Sequence, residues 1–322
     1  MNIIIKAQRH SRFPRLKISI AVQAMALAVA LGSSPCNAAA EAGTDQPVSL
    51  KAFMGYGYDS NVSVSQTNSS SGQADTLADL GLSASFKFFK TDSQSLDVGY
   101  DFSQTLHQKL NQFDIQTNAI SMNASQNIGG STAGLLYSFN FIRLGAHPFF
   151  DMQFVNPSYM MPLTSQIFFR SSVIYINECY HTDKSRNADH IQPDVQLFYF
   201  FPGSKTFVTV SANYQREQTK GPEFTYSGYG LRADMTLPLQ LLAIDAKLKA
   251  GYEWTSRNYD NITASLGARR YDRLGAFKLS SEFPVTKKLS LEVQGQYIGR
   301  NSNLASANID ESTVEAGLSY RY

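Results

Sequence analysis

Three groups of residues have the types and spacing to do chemistry. His181-Thr182-Asp183 and Asp189-His190 bracket one polar stretch, where a histidine base and an orienting carboxylate could meet. Arg269-Arg270-Tyr271-Asp272-Arg273 is a basic run able to hold an anionic head group or a saccharide. The third group is dispersed: acids and bases recur at every second position of long alternating segments. Other chemistries lack their residues. G-x-S-x-G, H-E-x-x-H, P-loop and dinucleotide fingerprints are all missing from the sequence. Asp59-Ser60-Asn61 lacks the spaced ligands of a calcium loop, and two cysteines make neither a disulfide framework nor a zinc site. We therefore expect no enzyme, no cofactor and no nucleic-acid partner. The histidine stretch reads as a hydrophilic loop and the basic run as a solvated rim. A hydrolase at the rim is the second alternative.

The dispersed charges need an element that turns alternate residues to opposite sides. In Ile244 to Trp254 one face reads Ile244, Ala246, Leu248, Ala250, Tyr252 and Trp254, and the other Asp245, Lys247, Lys249, Gly251 and Glu253. A strand separates these sets, whereas a helix would scatter them. Leu96 to Phe102, Val208 to Gln215, Leu289 to Tyr297 and Val314 to Tyr322 repeat the pattern. By this register the candidate lumen acids are Asp97, Asp101, Glu178, Asp234, Asp245, Glu253, Asp272, Glu282, Glu292 and Glu315, with Asp194 and Glu217 of the same parity. The candidate lumen bases are Arg170, Arg232, Lys247, Lys249, Lys278, Arg300 and Arg321, with Lys87. Such charges could form a hydrated path with a mild bias toward cations, bind a polar solute or polymer, or pair across the wall.

Segments of about 10 alternating residues are the mark of a transmembrane β-barrel. Soluble sandwiches also alternate, but their strands are shorter, about 5–6 residues. Aromatics gather near strand ends at Tyr56 and Tyr58, Phe88 and Phe89, Phe198 to Phe201, Tyr252 and Trp254, and Tyr320 and Tyr322, as in interfacial girdles. Short connections at 90–94, 127–131, 202–205 and 284–288 alternate with longer ones at 59–76, 181–189, 218–225, 258–268 and 302–310. The loop from Ser60 to Gln73, rich in Ser and Asn, reads as mobile surface. The expected fold is all-β: a closed antiparallel barrel of about 14 strands, or 12 if the poorly alternating stretch from Phe150 to Leu163 holds fewer. A lumen of that size is narrow and hydrated, constricted if a loop turns inward.

The mean hydropathy of −0.23 does not oppose this reading, because a barrel averages its lipid face with its wet interior. No apolar run reaches the roughly 18 residues a spanning helix needs. The first 40 residues hold Lys6, Arg9, Arg12, Arg15 and Lys17 and no acid, then an apolar run from Ile18 to Leu31, then Ala38-Ala39-Ala40. This is the order of a cleaved signal peptide. The expected division is a signal peptide over 1–40 and one barrel domain over 41–322. Five of the 28 basic residues belong to the leader and none of the 26 acids does, so the net charge of +2 becomes negative after cleavage.

Gly55-Tyr56-Gly57-Tyr58-Asp59-Ser60-Asn61-Val62 resembles the first strand and loop of barrels of the surface lipoprotein assembly modifier family. Arg269 to Arg273, Arg300 to Asn303 and the closing Gly317 to Tyr322 are similar to the last strands of such barrels and of the barrel porins of exopolysaccharide gene clusters. The resemblance implies a fourteen-stranded barrel. For the modifier family it also implies surface lipoprotein delivery aided by a periplasmic helical-repeat domain, which this sequence lacks and a separate partner would have to supply. Tyr322, on one face with Tyr320 and Leu318, resembles the aromatic signal read by the barrel assembly machinery. The expected place is the outer membrane of a Gram-negative bacterium. The expected role is a channel or translocator that passes or guides a polar solute, a polymer or a surface protein, with outer-membrane lipid as its surroundings.

Overall fold

The computed structural model describes residues 47–241 and 244–322. The leader expected over 1–40, with its cleavage site, lies outside the described residues. Fourteen antiparallel strands close into one barrel. In chain order they are β1 (Val48–Asp59), β4 (Asp75–Lys90), β5 (Gln94–His107), β6 (Ile115–Ile128), β7 (Ser131–Leu144), β8 (His147–Pro162) and β9 (Ile167–Tyr180). They continue as β10 (Ala188–Phe200), β11 (Phe207–Thr219), β12 (Tyr226–Leu241), β13 (Ile244–Thr263), β14 (Ala268–Pro284), β15 (Leu289–Ser302) and β16 (Ile309–Arg321). A small hairpin of β2 (Ser63–Val64) and β3 (Ser69–Ser70) stands apart from the barrel sheet.

The seam joins β1 to β16, with Met54 opposite Leu318 and Gly55 opposite Gly317. Gly57 is required there, because a Cβ would lie 2.6 Å from the Val314 carbonyl oxygen. Closure leaves the barrel sheet no open edge, so each of its fourteen strands is paired on both sides.

Period 2 then assigns the faces. Met54, Tyr56, Ile120, Leu197, Leu231, Phe277 and Leu318 point outward and stay exposed, with Met54 at 64%. Such a continuous apolar exterior has no place in water, and it is the lipid-facing band of an outer-membrane barrel. The aromatic positions at strand ends divide. Tyr56, Tyr58, Phe88, Tyr252, Tyr320 and Tyr322 lie on the exposed exterior, but Phe198 turns inward and is buried.

Two expectations about the connections need correction. The stretch from Asn258 to Ala268 is not an open loop: β13 runs on to Thr263 through a register shift between Asn258 and Ile262, and a tight turn follows. The stretch from Phe150 to Leu163 is almost wholly strand, the 16-residue β8. Its alternation is real but changes phase. Phe150, Met152 and Phe154 are buried inside while Asp151 and Gln153 face outward. Beyond Phe154, Asn156 is inside and Pro157 and Tyr159 are outside. A bulge at Phe149 turns it inward beside Phe150, the two rings lying 5.0 Å apart.

Candidate functional site

The loop between β1 and β4 (L1, residues 60–74) builds the site. It folds into the barrel and is not the mobile surface loop expected from its composition. Asn61 organises its root: its Oδ1 accepts from the Ser70 hydroxyl at 2.6 Å and the Gly72 N–H at 3.1 Å. The hairpin β2–β3 and a short 3-10 turn (Ser65–Thr67) give the loop its own backbone pairing. Asn68 sits at φ 55°, a left-handed conformation that asparagine tolerates better than most residues.

L1 is held on three sides. Near its root, the Asn61 side chain donates to the Asp310 carbonyl at 3.0 Å, and the Ser63 hydroxyl donates to Glu311. At its tip, the Asn68 oxygen accepts from Arg270 at 2.9 Å and from Arg300 at 3.2 Å. Arg186, from the loop between β9 and β10, donates to the Gln66 carbonyl at 2.6 Å. Arg186 is braced in turn by Asp183 at 3.0 Å and stacks on Phe224 at 4.2 Å. Hydrogen bonds from Ser185, with Arg186 alongside, hold the Asp183 carboxyl below the usual carboxylate range.

Against the far wall L1 makes an apolar contact. Val64, 2% exposed, packs into a cluster with Ile115, Ile142, Phe150, Met152, Ile174 and Ile176 on β6 to β9. Phe150 stacks on Tyr180 with ring centroids 4.9 Å apart. These side chains point into the lumen, where the alternation rule expects polar groups. The covering loop is what removes them from water.

Facing that wall is a partly open cavity of about 170 Å³, roofed by Gln66 and Asn68 of L1. Its apolar side is Phe154, Ile174, Ile176 and Tyr180. Two groups of charge complete the lining, the first beginning on β9 itself. Glu178 and Glu217 lie on β9 and β11. The Tyr180 hydroxyl donates to Glu178 at 3.1 Å, and His190 lies between Glu217 at 3.4 Å and Gln192 at 3.3 Å. On β13 to β15 stand Arg257, Arg270 and Arg300. Arg270 grips Asp272 through two hydrogen bonds of 2.8 and 2.6 Å and stacks on Tyr259 at 4.6 Å. Arg257 stacks on Tyr226 at 4.7 Å, and its Nε, like Nε and Nη2 of Arg300, has no acceptor among the described residues. The arrangement offers a polar solute cationic donors from Arg257 and Arg300, carboxylate acceptors from Glu178, Glu217 and Glu253, and the aromatic faces of its tyrosines.

The lumen candidates all fall on the inward parity, at three levels. Glu178, Glu253, Asp272 and Arg300 line the cavity. Arg170, Arg232, Asp234, Lys278 and Glu315 lie deeper, Arg232 bonded to Asp234 at 2.7 Å and Gln294 donating to Glu315 at 2.5 Å. Toward the end where β1 begins and β16 ends, Glu292 pairs with Lys51 at 2.9 Å and Glu282 with Arg321 at 2.8 Å. Lys247 and Lys249 are half-buried on β13, and Asp245 at its start is exposed. Asp97 faces Lys87, and Asp101 faces Ser83, between β4 and β5. Pairing across the wall accounts for much of this lower set.

Sequence reasoning did not single out Arg186, Arg257, Asn68 or the tyrosines 180, 226 and 259. Tyr259 falls in the stretch read as loop and Arg257 lies just before it, past the last residue of the alternating segment that ends at Trp254, and L1 and Arg186 carry no periodic signal. The two histidines of the polar stretch do not form one site. His190 is buried in the lumen, while His181 lies on the rim, 3.3 Å from Asp151. Among the described residues no group of three or more His, Cys, Asp or Glu side chains is placed to hold a metal ion.

No family model and no curated protein matches the chain. Among solved structures it is similar to OccAB3 of Acinetobacter baumannii, at 9% identity over 85% of this chain and 99% of that one, with a TM-score of 0.48. It is similar to a bacterial polysaccharide outer membrane secretin, at 7% identity over 84% and 98%, TM-score 0.47. It is also similar to an anion-selective porin from Comamonas acidovorans, at 8% identity over 85% and 99%, TM-score 0.47.

Proposed function

We propose that the protein is an outer-membrane channel for small polar solutes, whose path is narrowed by L1 to a charged constriction. The observation that carries this reading is the cavity under L1, with Arg257 and Arg300 on one flank and Glu178 and Glu217 on another. Opposed charges across a narrow aqueous path create a transverse field that orients dipolar solutes and disfavours apolar ones. With L1 latched, the passage is too occupied for a folded surface protein, which favours a solute over a protein as cargo. A polymer threads only if L1 moves aside. The role in surface lipoprotein assembly rests on the likeness of the terminal strands alone, and it would require a separate periplasmic partner.

The test is reconstitution of the purified barrel without partners. Planar bilayers should show discrete conductance steps. Liposomes should swell in small sugars and amino acids, with rates that fall as solute size rises. A silent barrel that delivers a lipoprotein when a periplasmic partner is added would replace this reading with the assembly one.

A further inference from the structure

The basic run on β14 is divided by the strand period into two sites. Arg270 and Asp272 turn inward, Arg270 holding L1 through Asn68 and Asp272 holding Arg270. Arg269, Tyr271 and Arg273 turn outward and are exposed. The two outward arginines, with guanidinium groups on the exterior, are four positions apart, a backbone distance of about 13 Å along a strand. Neither has a hydrogen-bond or ion-pair partner among the described residues. Arg216 is the contrast: it stands on the same exterior, but it is bound to Asp260 at 2.7 Å and Ser227 at 2.9 Å.

The outward pair is held on a rigid backbone. β15 has ended beside it, and the side chain of Asn303 continues the pairing. The Tyr271 N–H donates to Asn303 Oδ1 at 2.9 Å, and Asn303 Nδ2 donates to the Arg269 carbonyl at 3.0 Å. Across from Arg273 are Asn301 on one side and Ser256 on the other, and across from Arg269 is Ile262. None of these is a carboxylate that would neutralise the pair.

The height of the pair is set by its own strand. Phe277 aligns with Tyr252 and Tyr297 in an exposed aromatic row on the apolar exterior. Arg273 is four residues nearer the loop end, about 13 Å along the strand and about 10 Å in height at the tilt of barrel strands. In outer-membrane barrels the longer loops, as L1 is, lie on the outer side, and beyond an exterior aromatic row the wall meets head groups. A guanidinium freed of protein partners matches a phosphate oxygen pair in geometry and charge.

We propose that Arg269 and Arg273, flanking Tyr271, form an exterior docking site for the phosphate groups of the glycolipid in the outer leaflet. This site depends on the outer-membrane setting and not on solute passage, so it stands or falls separately from the channel reading.

The test compares the glycolipid retained by barrels extracted from outer membranes in mild detergent, measured by native mass spectrometry. The Arg269→Ala/Arg273→Ala variant should lose at least half of the bound glycolipid, and the Lys/Lys variant should keep an intermediate amount. Arg216→Ala should match the unaltered protein. Delipidated barrel should regain phosphorylated glycolipid from mixed micelles, but not its dephosphorylated form. Inorganic phosphate should compete only weakly. Equal retention in the double alanine variant, or an equal loss in Arg216→Ala, overturns the proposal. Heat-modifiable mobility checks that each variant is folded. If the double variant does not assemble, the two single variants give the same reading.

Discussion

The inner walls of β7 to β9 and of β10 to β16 face one lumen and meet different neighbours. On β8 and β9, Phe150, Met152, Phe154, Ile174 and Ile176 are buried under Val64 of L1. On β10 to β16 the same parity carries His190, Glu217, Arg257, Asp272 and Arg300, arranged around a cavity. The first wall anchors a loop by burying apolar side chains, and the second carries charge around a cavity. A strand's alternation therefore reports which residues share a side, not what that side touches. A loop that enters a barrel makes an apolar interior surface stable where an open channel would not.

The comparison can be broken most strongly at the apolar anchor. Val64→Asp would place a carboxylate in a socket lined by Ile142, Phe150 and Ile174, and an unpaired buried charge costs about 3–5 kcal/mol. L1 should leave its seat, and bilayer conductance should rise several-fold while heat-modifiable mobility stays unchanged. Phe150→Ala empties the same socket and removes the stacking on Tyr180, a loss of about 3–5 kcal/mol for a buried phenylalanine. Its expected readout is faster protease cleavage within L1 on intact cells.

The charged groups around the cavity, Glu178 at the end of β9 among them, should respond in selectivity rather than in seating. Removing Arg257 as alanine should move the zero-current potential in a salt gradient toward cations. Glu178→Gln with Glu217→Gln should move it toward anions. Equal shifts from both variants would sink the idea of opposed flanks.

The weakest lever is the brace on Arg186. Asp183→Asn should raise current noise without altering the mean conductance much. Because its carboxyl is held low, the stabilising contribution is present above the ordinary titration range and is lost as pH falls through the depressed one. The brace should thus persist through neutral pH and fail only in strongly acidic solution, as read from noise against pH.

Much of this was legible before any coordinates. The alternation of Leu289 to Tyr297 and of Val314 to Tyr322 announces strands whose faces see different media. The 14-strand count follows from such segments and matches the closed sheet. The hidden part is physical in origin. Phe154 and Val155 are consecutive apolar residues because β8 changes phase there, from an apolar inside and polar outside to the reverse. Ser- and Asn-rich L1 reads as solvated, since its ordering comes from distant partners: Arg270 and Arg300 are more than two hundred residues away in sequence. Tyr259 was concealed by a strand that extends to Thr263, and Arg257 by lying past the segment whose alternation was read to Trp254.

The central claim is that a conducting lumen is narrowed by an inserted L1. Single-channel conductance of the intact barrel and of a variant lacking residues 62–72, measured side by side in planar bilayers, tests it most directly. The account predicts that both conduct, the shortened barrel several-fold more and with weaker ion selectivity. Identical conductance and selectivity in the two, or silence in both, would contradict it.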